Sequence, residues 1–138
     1  MNRVVGRSAA YLWAAPVSLA ALPIVPFVAV SGGSVRVVDG VLEAAGGILA
    51  PLLTRANPWF PISAITLGHV VLAADRRRAD ESRGHERVHV AQCERWGILL
   101  PLLYAASSLV ALWTGGRPYE DNAFEKEACR RENAARAA

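Results

Sequence analysis

Lysine is almost absent from this chain. Lys+Arg total 15, and the only lysine is Lys126. The net charge of +3 is too small to indicate a nucleic-acid partner by itself, and none is expected. Cysteine occurs twice, at Cys93 and Cys129. Two such distant cysteines make neither a disulfide framework nor a CxxC pair, so they are expected as reduced thiols. Charged residues are 20% and hydrophobic residues 53%, which excludes a disordered chain and leans toward a membrane-associated one. The 138 residues suffice for one compact domain rather than two. No internal repeat is visible.

The apolar residues fall in two long runs. Residues 9–30, AAYLWAAPVSLAALPIVPFVAV, carry no charge across 22 positions. A helix of that length spans a bilayer core of about 30 Å. The run exceeds a usual signal-peptide core and contains Pro16, Pro23 and Pro26, so a kinked membrane anchor over residues 1–33 is expected. Arg3 and Arg7 ahead of it favour a cytoplasmic N-terminus. The second run, residues 97–114, is also uncharged and predicts a helix with Pro101 in its first turn.

Between the runs the patterns are shorter. VRVVDGVLE has β-branched residues on both sides of Asp39-Gly40, a hairpin signal, with a short apolar helix over 41–53 as the alternative. Arg55 to Pro61, RANPWFP, reads as a breaker. SAITLGHVVLAA predicts a strand at about 64–73. The charged segment after Asp75 leads into a helix at about 80–96. A last helix at about 120–136 opens near Glu120 and Asp121, whose charges suit a helix N-terminus.

The chemistry sits in RGHERVHVAQCERWG, Arg83 to Gly97. On a helix, His85 and His89 are one turn apart and point the same way, so both imidazoles can bind one ion. Glu86 lies beside them, placed to take a proton from water without ligating the metal. A third ligand is needed, and NAFEKEAC offers Glu125 and Glu127. Cys93 is a weaker candidate as a soft ligand. Gln92 and Trp96 lie near the histidine face and are expected to pack against or orient it. Glu94 and Arg95 are expected on a solvated face, and His69 as a strand histidine rather than a ligand. Tyr104, Tyr119 and the arginines are the candidates for an oxyanion partner.

HExxH followed by Glu125-Lys126-Glu127-Ala128, an E-x-x-A motif, resembles the gluzincin class of zinc metallopeptidases. HERVHVAQCERWG, the following apolar helix and PYEDNAFEKEA are also similar to a group of small bacterial membrane-associated proteins. The likeness covers about residues 64–129 and is more distant to membrane metallopeptidases of the CAAX-protease type. It implies Zn2+ on His85, His89 and Glu125, with Glu127 as runner-up because it lies about 200° further around the helix. It implies Glu86 as the base in hydrolysis of a peptide or protein substrate. Those distant relatives commonly carry an aspartate four residues after the glutamate ligand, where this chain has Cys129.

The expected fold is therefore α+β: a membrane helix over 1–33, then a small zincin-like domain over 34–138 with short strands, the HExxH helix, an apolar helix and a glutamate helix. Membrane lipid and a peptide are the expected partners, and the bacterial inner membrane the expected location. The rivals are an inactive zincin-like scaffold and a purely structural membrane protein. One crossing by residues 97–114 would put Glu125 and the histidines on opposite sides of the bilayer. The run is too short for two crossings at about 20 residues each, so it is expected as a buried helix packed back or as a re-entrant or interfacial segment.

Overall fold

The computed structural model describes residues 2–55 and 62–138. The breaker expected at 55–61 lies outside them apart from Arg55, which ends a helix. The described chain is mixed α/β. Its elements are α1 (Asn2–Ala21), α2 (Ile24–Val30), β1 (Ser34–Val38), β2 (Val41–Ala45), α3 (Leu49–Arg55), β3 (Ala64–Leu67), β4 (Val70–Ala73), α4 (Arg76–Trp96), α5 (Leu100–Trp113) and α6 (Ala123–Ala137). A 3-10 turn, Gly97–Leu99, joins α4 to α5.

The first apolar run is helical but bent by 52° between Ser8–Ala21 and Ile24–Val30. The bend falls at Pro23, which caps α2, while Pro16 sits within α1. The Asp39-Gly40 turn has φ of 51° and 80°, the left-handed pair that a two-residue hairpin requires, and β1 and β2 pair antiparallel around it. The single strand expected over 64–73 is two strands. Gly68, at φ 63°, reverses the chain, and Ala64–Leu67 folds back antiparallel on Val70–Ala73. β4 also pairs parallel with β2, giving the order β1-β2-β4-β3 with β3 at an edge.

Side-chain alternation then sorts the two faces of the sheet. Val70 and Leu72 of β4 and Ala44 of β2 pack with Ala21, Val28, Leu49 and Leu53 of the first three helices. Val71 and Ala73, one residue out of phase, meet Val90 and Ala79 of α4 together with Val41 and Ala45. β4 is buried on both faces and carries no polar side chain in Val70–Ala73. Glu43 and Thr66 share the α4 face by the same alternation, since Thr66 pairs with Val71.

That face holds an unusual charge cluster. Glu43 is 2% exposed and accepts from three arginines of α4: Arg76 Nη1 at 3.2 Å, Arg83 Nε at 2.9 Å and Arg87 Nη2 at 2.9 Å. Burial raises the Glu43 pKa, but the bonds and charges of Arg83 and Arg87 outweigh it and hold the carboxyl below its ordinary value. The cluster ties the first three turns of α4 to β2. Its first turn is capped by Asp75, whose carboxylate accepts from Arg78 N at 2.8 Å, so α4 begins at Arg76 rather than near residue 80.

α1 also reaches the sheet and α4. Tyr11 donates to the Gly40 carbonyl at 2.7 Å, and Ser18 Oγ accepts from His69 N at 2.9 Å. Trp13 lies against Gly97, whose φ of 55° ends α4 and where a Cβ would meet the indole at 2.6 Å. α5 is not packed away as a core helix, because only Leu100 and Ala111 are buried along it. The helical stretch Arg76–Trp113 is long and apolar enough to cross a membrane, and 17% of its apolar window is buried inside the protein.

Candidate metal centre

Two helices supply the cluster. α4 brings His85 and His89 on one face, and α6 runs antiparallel beside it. His85 lies near Glu125 and Glu132, while Gln92, two turns on, lies near Phe124 and Glu127. α6 starts at Ala123, not at Glu120. Asn122 is its N-cap, accepting from Phe124 N at 2.9 Å. The same fully buried Asn122 donates to the Tyr104 carbonyl at 3.0 Å and to Ser108 Oγ at 2.8 Å. One side chain therefore opens α6 and fixes it to α5. Glu125 falls at the third helical position, where a negative charge faces the positive end of the helix dipole.

The ligand atoms of His85, His89 and Glu125 all lie within 4.8 Å of one another, and this cluster could hold a metal ion. His85 Nε2 is 3.0 Å from Glu125 Oε2, His89 Nε2 is 3.3 Å from Glu125 Oε1, and the two Nε2 atoms are 3.1 Å apart. The outer contacts suit that use. His89 Nδ1 faces Gln92 Oε1 at 2.9 Å, so its proton belongs on Nδ1 and its Nε2 lone pair points at the cluster. The Gln92 amide in turn donates to the Phe124 carbonyl and to Glu127 Oε2, both at 3.0 Å. His85 Nδ1 faces Glu132 Oε2 at 3.6 Å. At that distance Glu132 is a charged neighbour of His85 rather than a hydrogen-bond partner, and its other oxygen pairs with Arg136, while Cys129 is exposed. Tyr104 donates to Glu125 Oε1 at 2.6 Å.

The electrostatics follow from this crowding. The bond to Glu125 raises the His85 pKa above its ordinary value. For His89 burial pulls downward, and the bond and charge of Glu125 prevail to leave it raised. Burial pushes Glu125 upward, but His85, His89 and Tyr104 together hold it far below the carboxylate range. Protons and a cation would compete for the same lone pairs.

Glu86 stands apart from the ligands. It is 6% exposed on the sheet side of α4, and Thr66 of the edge strand donates to its Oε2 at 2.5 Å. Burial raises its pKa, with the Thr66 bond and the two histidines opposing. A buried carboxylate with a raised pKa, held by one donor, is suited to accept a proton.

The other sequence candidates are distributed elsewhere. Glu127 bonds Gln92 and Arg131 rather than joining the ligands. Cys93 is buried with Ala14 and Leu100, and burial raises its thiol pKa. His69 is in the β3–β4 turn rather than a strand, stacked on Tyr11 at 3.8 Å. Its Nε2 is 2.9 Å from Glu94, whose side chain is 38% exposed, so Glu94 keeps contact with solvent while pairing with His69. Arg95 lies over the Trp96 ring at 5.3 Å. Thr66, Asn122 and Glu132 were not picked out in the sequence. The alternation of β3 would have aimed Thr66 at α4 had its register been known, and N-x-x-E at Asn122 to Glu125 is a legible helix start.

Comparison with protein-family models, with curated proteins and with solved structures finds no match.

Proposed function

We propose that this chain is a membrane-associated zinc metallopeptidase with a zincin-like core, of the gluzincin type that its two helix motifs resemble. The carrying observation is the separation of roles in one site: three converging ligand side chains, and a fourth side chain, the carboxylate Glu86, buried beside them and bonded elsewhere. Two imidazoles and a carboxylate are a donor set that suits zinc. Zinc, when bound, supplies a Lewis acid and brings the pKa of a water to about 7. Glu86 takes a proton from the attacking water and delivers it to the departing amine nitrogen. Gln92 and Tyr104 hold His89 and Glu125 in place. β3, at the sheet edge, offers backbone to an extended peptide.

The membrane part of the reading rests on unpartnered apolar surface. Leu12 and Leu19 of α1, Phe27 of α2, Leu102 and Trp113 of α5 are all exposed, Trp113 at 92%. Large apolar side chains left exposed on three helices suit contact with lipid or another apolar body. α5 leaves the metal cluster, and the turn through Gly115 and Gly116 brings Asn122 back to the level of Tyr104 and Ser108. An apolar segment that goes out and returns to the same level suits a re-entrant or interfacial element of the inner membrane.

The test is metal content of detergent-purified protein, beside a peptidase assay on an unfolded protein. About one zinc per chain is expected, lost in His89→Ala and in Glu125→Ala. Glu86→Gln is expected to keep the zinc and lose hydrolysis. Protein that takes up no metal even when zinc is supplied overturns the reading. Zinc bound without turnover in the unmodified chain leaves an inactive zincin-like scaffold.

A further inference from the structure

Two cavities of opposite character adjoin the ligand cluster. The larger, about 670 Å³, is walled mainly by apolar side chains, among them Val17, Ile65, Leu67, Leu100 and Pro101, and reaches His89 and Glu125. The smaller, about 300 Å³, is lined by Arg78, Glu81, Ser82 and Glu132, and reaches His85 and Glu86. Ser63 and Tyr119 line both, so the two cavities meet at the metal ligands.

The apolar cavity is lined by β3 and by parts of two helices, α1 and α5, that also carry exposed apolar surface. Val17 lines it from α1, on the helix whose Leu12 and Leu19 face outward. Pro101 lines it from α5 and is itself exposed, next to Leu102 at 69% exposure. Val17 itself is buried, and it is at Pro101 of α5 that the cavity wall reaches the exposed apolar surface. The charged cavity lies on the other flank, at the α4 and α6 residues that pair in water: Glu81 with Arg77, and Glu132 with Arg136.

We propose that the site takes a peptide at the junction between an apolar segment and a polar one, with the apolar part entering the large cavity from the bilayer and the polar part lying in the small one. This rests on the peptidase reading and names its substrate class. Burying an apolar side chain in the large cavity releases water from both surfaces. A polar chain placed along its apolar wall would lose hydration there with few partners in exchange. The reverse holds beside Arg78 and Glu81. The two flanks therefore discriminate by sequence polarity across the reacting bond, and a bond at a membrane–water boundary presents that polarity.

The experiment uses the full chain in dodecylmaltoside micelles, supplied with zinc and carrying Glu86→Gln so that bound peptide is not consumed. The probe is a synthetic peptide of roughly 18 apolar residues followed by a polar tail, with a benzophenone at the junction. Unlabelled junction peptide and a shuffled peptide of identical composition compete for its photo-crosslink. The junction peptide is expected to compete at a concentration at least about tenfold lower, a difference of about 1.4 kcal/mol. Pro101→Asp is expected to remove that preference with metal content unchanged. Ala106→Asp, exposed on the same helix but outside the cavity lining, is expected to retain it. Equal competition by both peptides overturns the proposal, whether or not the unmodified protein hydrolyses either one. A clear preference for the junction peptide with no hydrolysis by the unmodified chain supports this site and overturns the peptidase reading.

Discussion

Replacing Gln92 by leucine separates the fixing of His89 from its presence. The amide is 3% exposed and joins three groups: His89 Nδ1 at 2.9 Å, the Phe124 carbonyl at 3.0 Å and Glu127 Oε2 at 3.0 Å. Leucine has similar bulk and none of these bonds. Two losses follow. The imidazole loses the acceptor that holds its proton on Nδ1, and outer partners of this kind are worth about 10–100-fold in metal affinity. That range is about 1.4–2.7 kcal/mol. The metal-free fold also loses a bridge between α4 and α6, leaving buried polar groups unpaired at about 1–3 kcal/mol. Zinc affinity is read by competition with a chromophoric chelator, and stability by thermal unfolding in the same detergent. Gln92→Glu distinguishes the two losses. It restores an acceptor to His89 but sets a second carboxylate beside Glu127, so affinity is expected to recover more than stability. Zinc affinity within twofold of the unmodified protein in Gln92→Leu would refute the reasoning, since His89 would then need no orienting partner.

Glu43→Gln leaves three arginine side chains facing one another without their shared carboxylate. Breaking a buried pair costs about 3–5 kcal/mol, and the low end is expected because the arginine side chains are 20–31% exposed. For the unmodified chain, the folded Glu43 pKa is lowered, so its contribution is present above the ordinary glutamate value and is lost as pH falls through the folded value. The acid limb of a stability-against-pH curve should be shallower in Glu43→Gln. Asn122→Ala removes the cap of α6 and two bonds to α5. A loss of about 2–3 kcal/mol in thermal unfolding is expected, from about 1 kcal/mol for the cap and the rest for the buried partners. Weaker zinc binding should accompany it, because Glu125 is three residues on.

Much of the local structure was legible because it is written in short-range rules. Asp39-Gly40 adopts the two left-handed residues that a tight hairpin needs, and His85, Glu86 and His89 are placed by helical geometry alone. Glu125 was legible only through its motif, and its meeting with the histidines depends on α6 lying antiparallel to α4. The single strand expected at 64–73 failed because an Ile-, Thr- and Val-rich run hides a reversal at Gly68, whose left-handed φ the pattern of side chains does not signal. Glu94 does reach solvent, as a charge on an amphipathic helix usually does, but its pairing with His69 was not legible, because the turn carrying His69 comes from 25 residues earlier in the chain.

By itself, the sequence determined local placement: the two histidines on one side of α4, the tight turn at Asp39-Gly40, and the uncharged apolar runs over 9–30 and 97–114. Period and propensity act over a few residues, and such features need no knowledge of what packs against them. Only the tertiary structure decided the partners. It set Thr66 on Glu86, Gln92 on Phe124 and Glu127 of α6, Glu132 opposite His85 and Glu43 among three arginines. Those contacts join residues 20 to 47 positions apart or lie between whole elements, and sheet register and helix packing fix them through burial that no local pattern encodes.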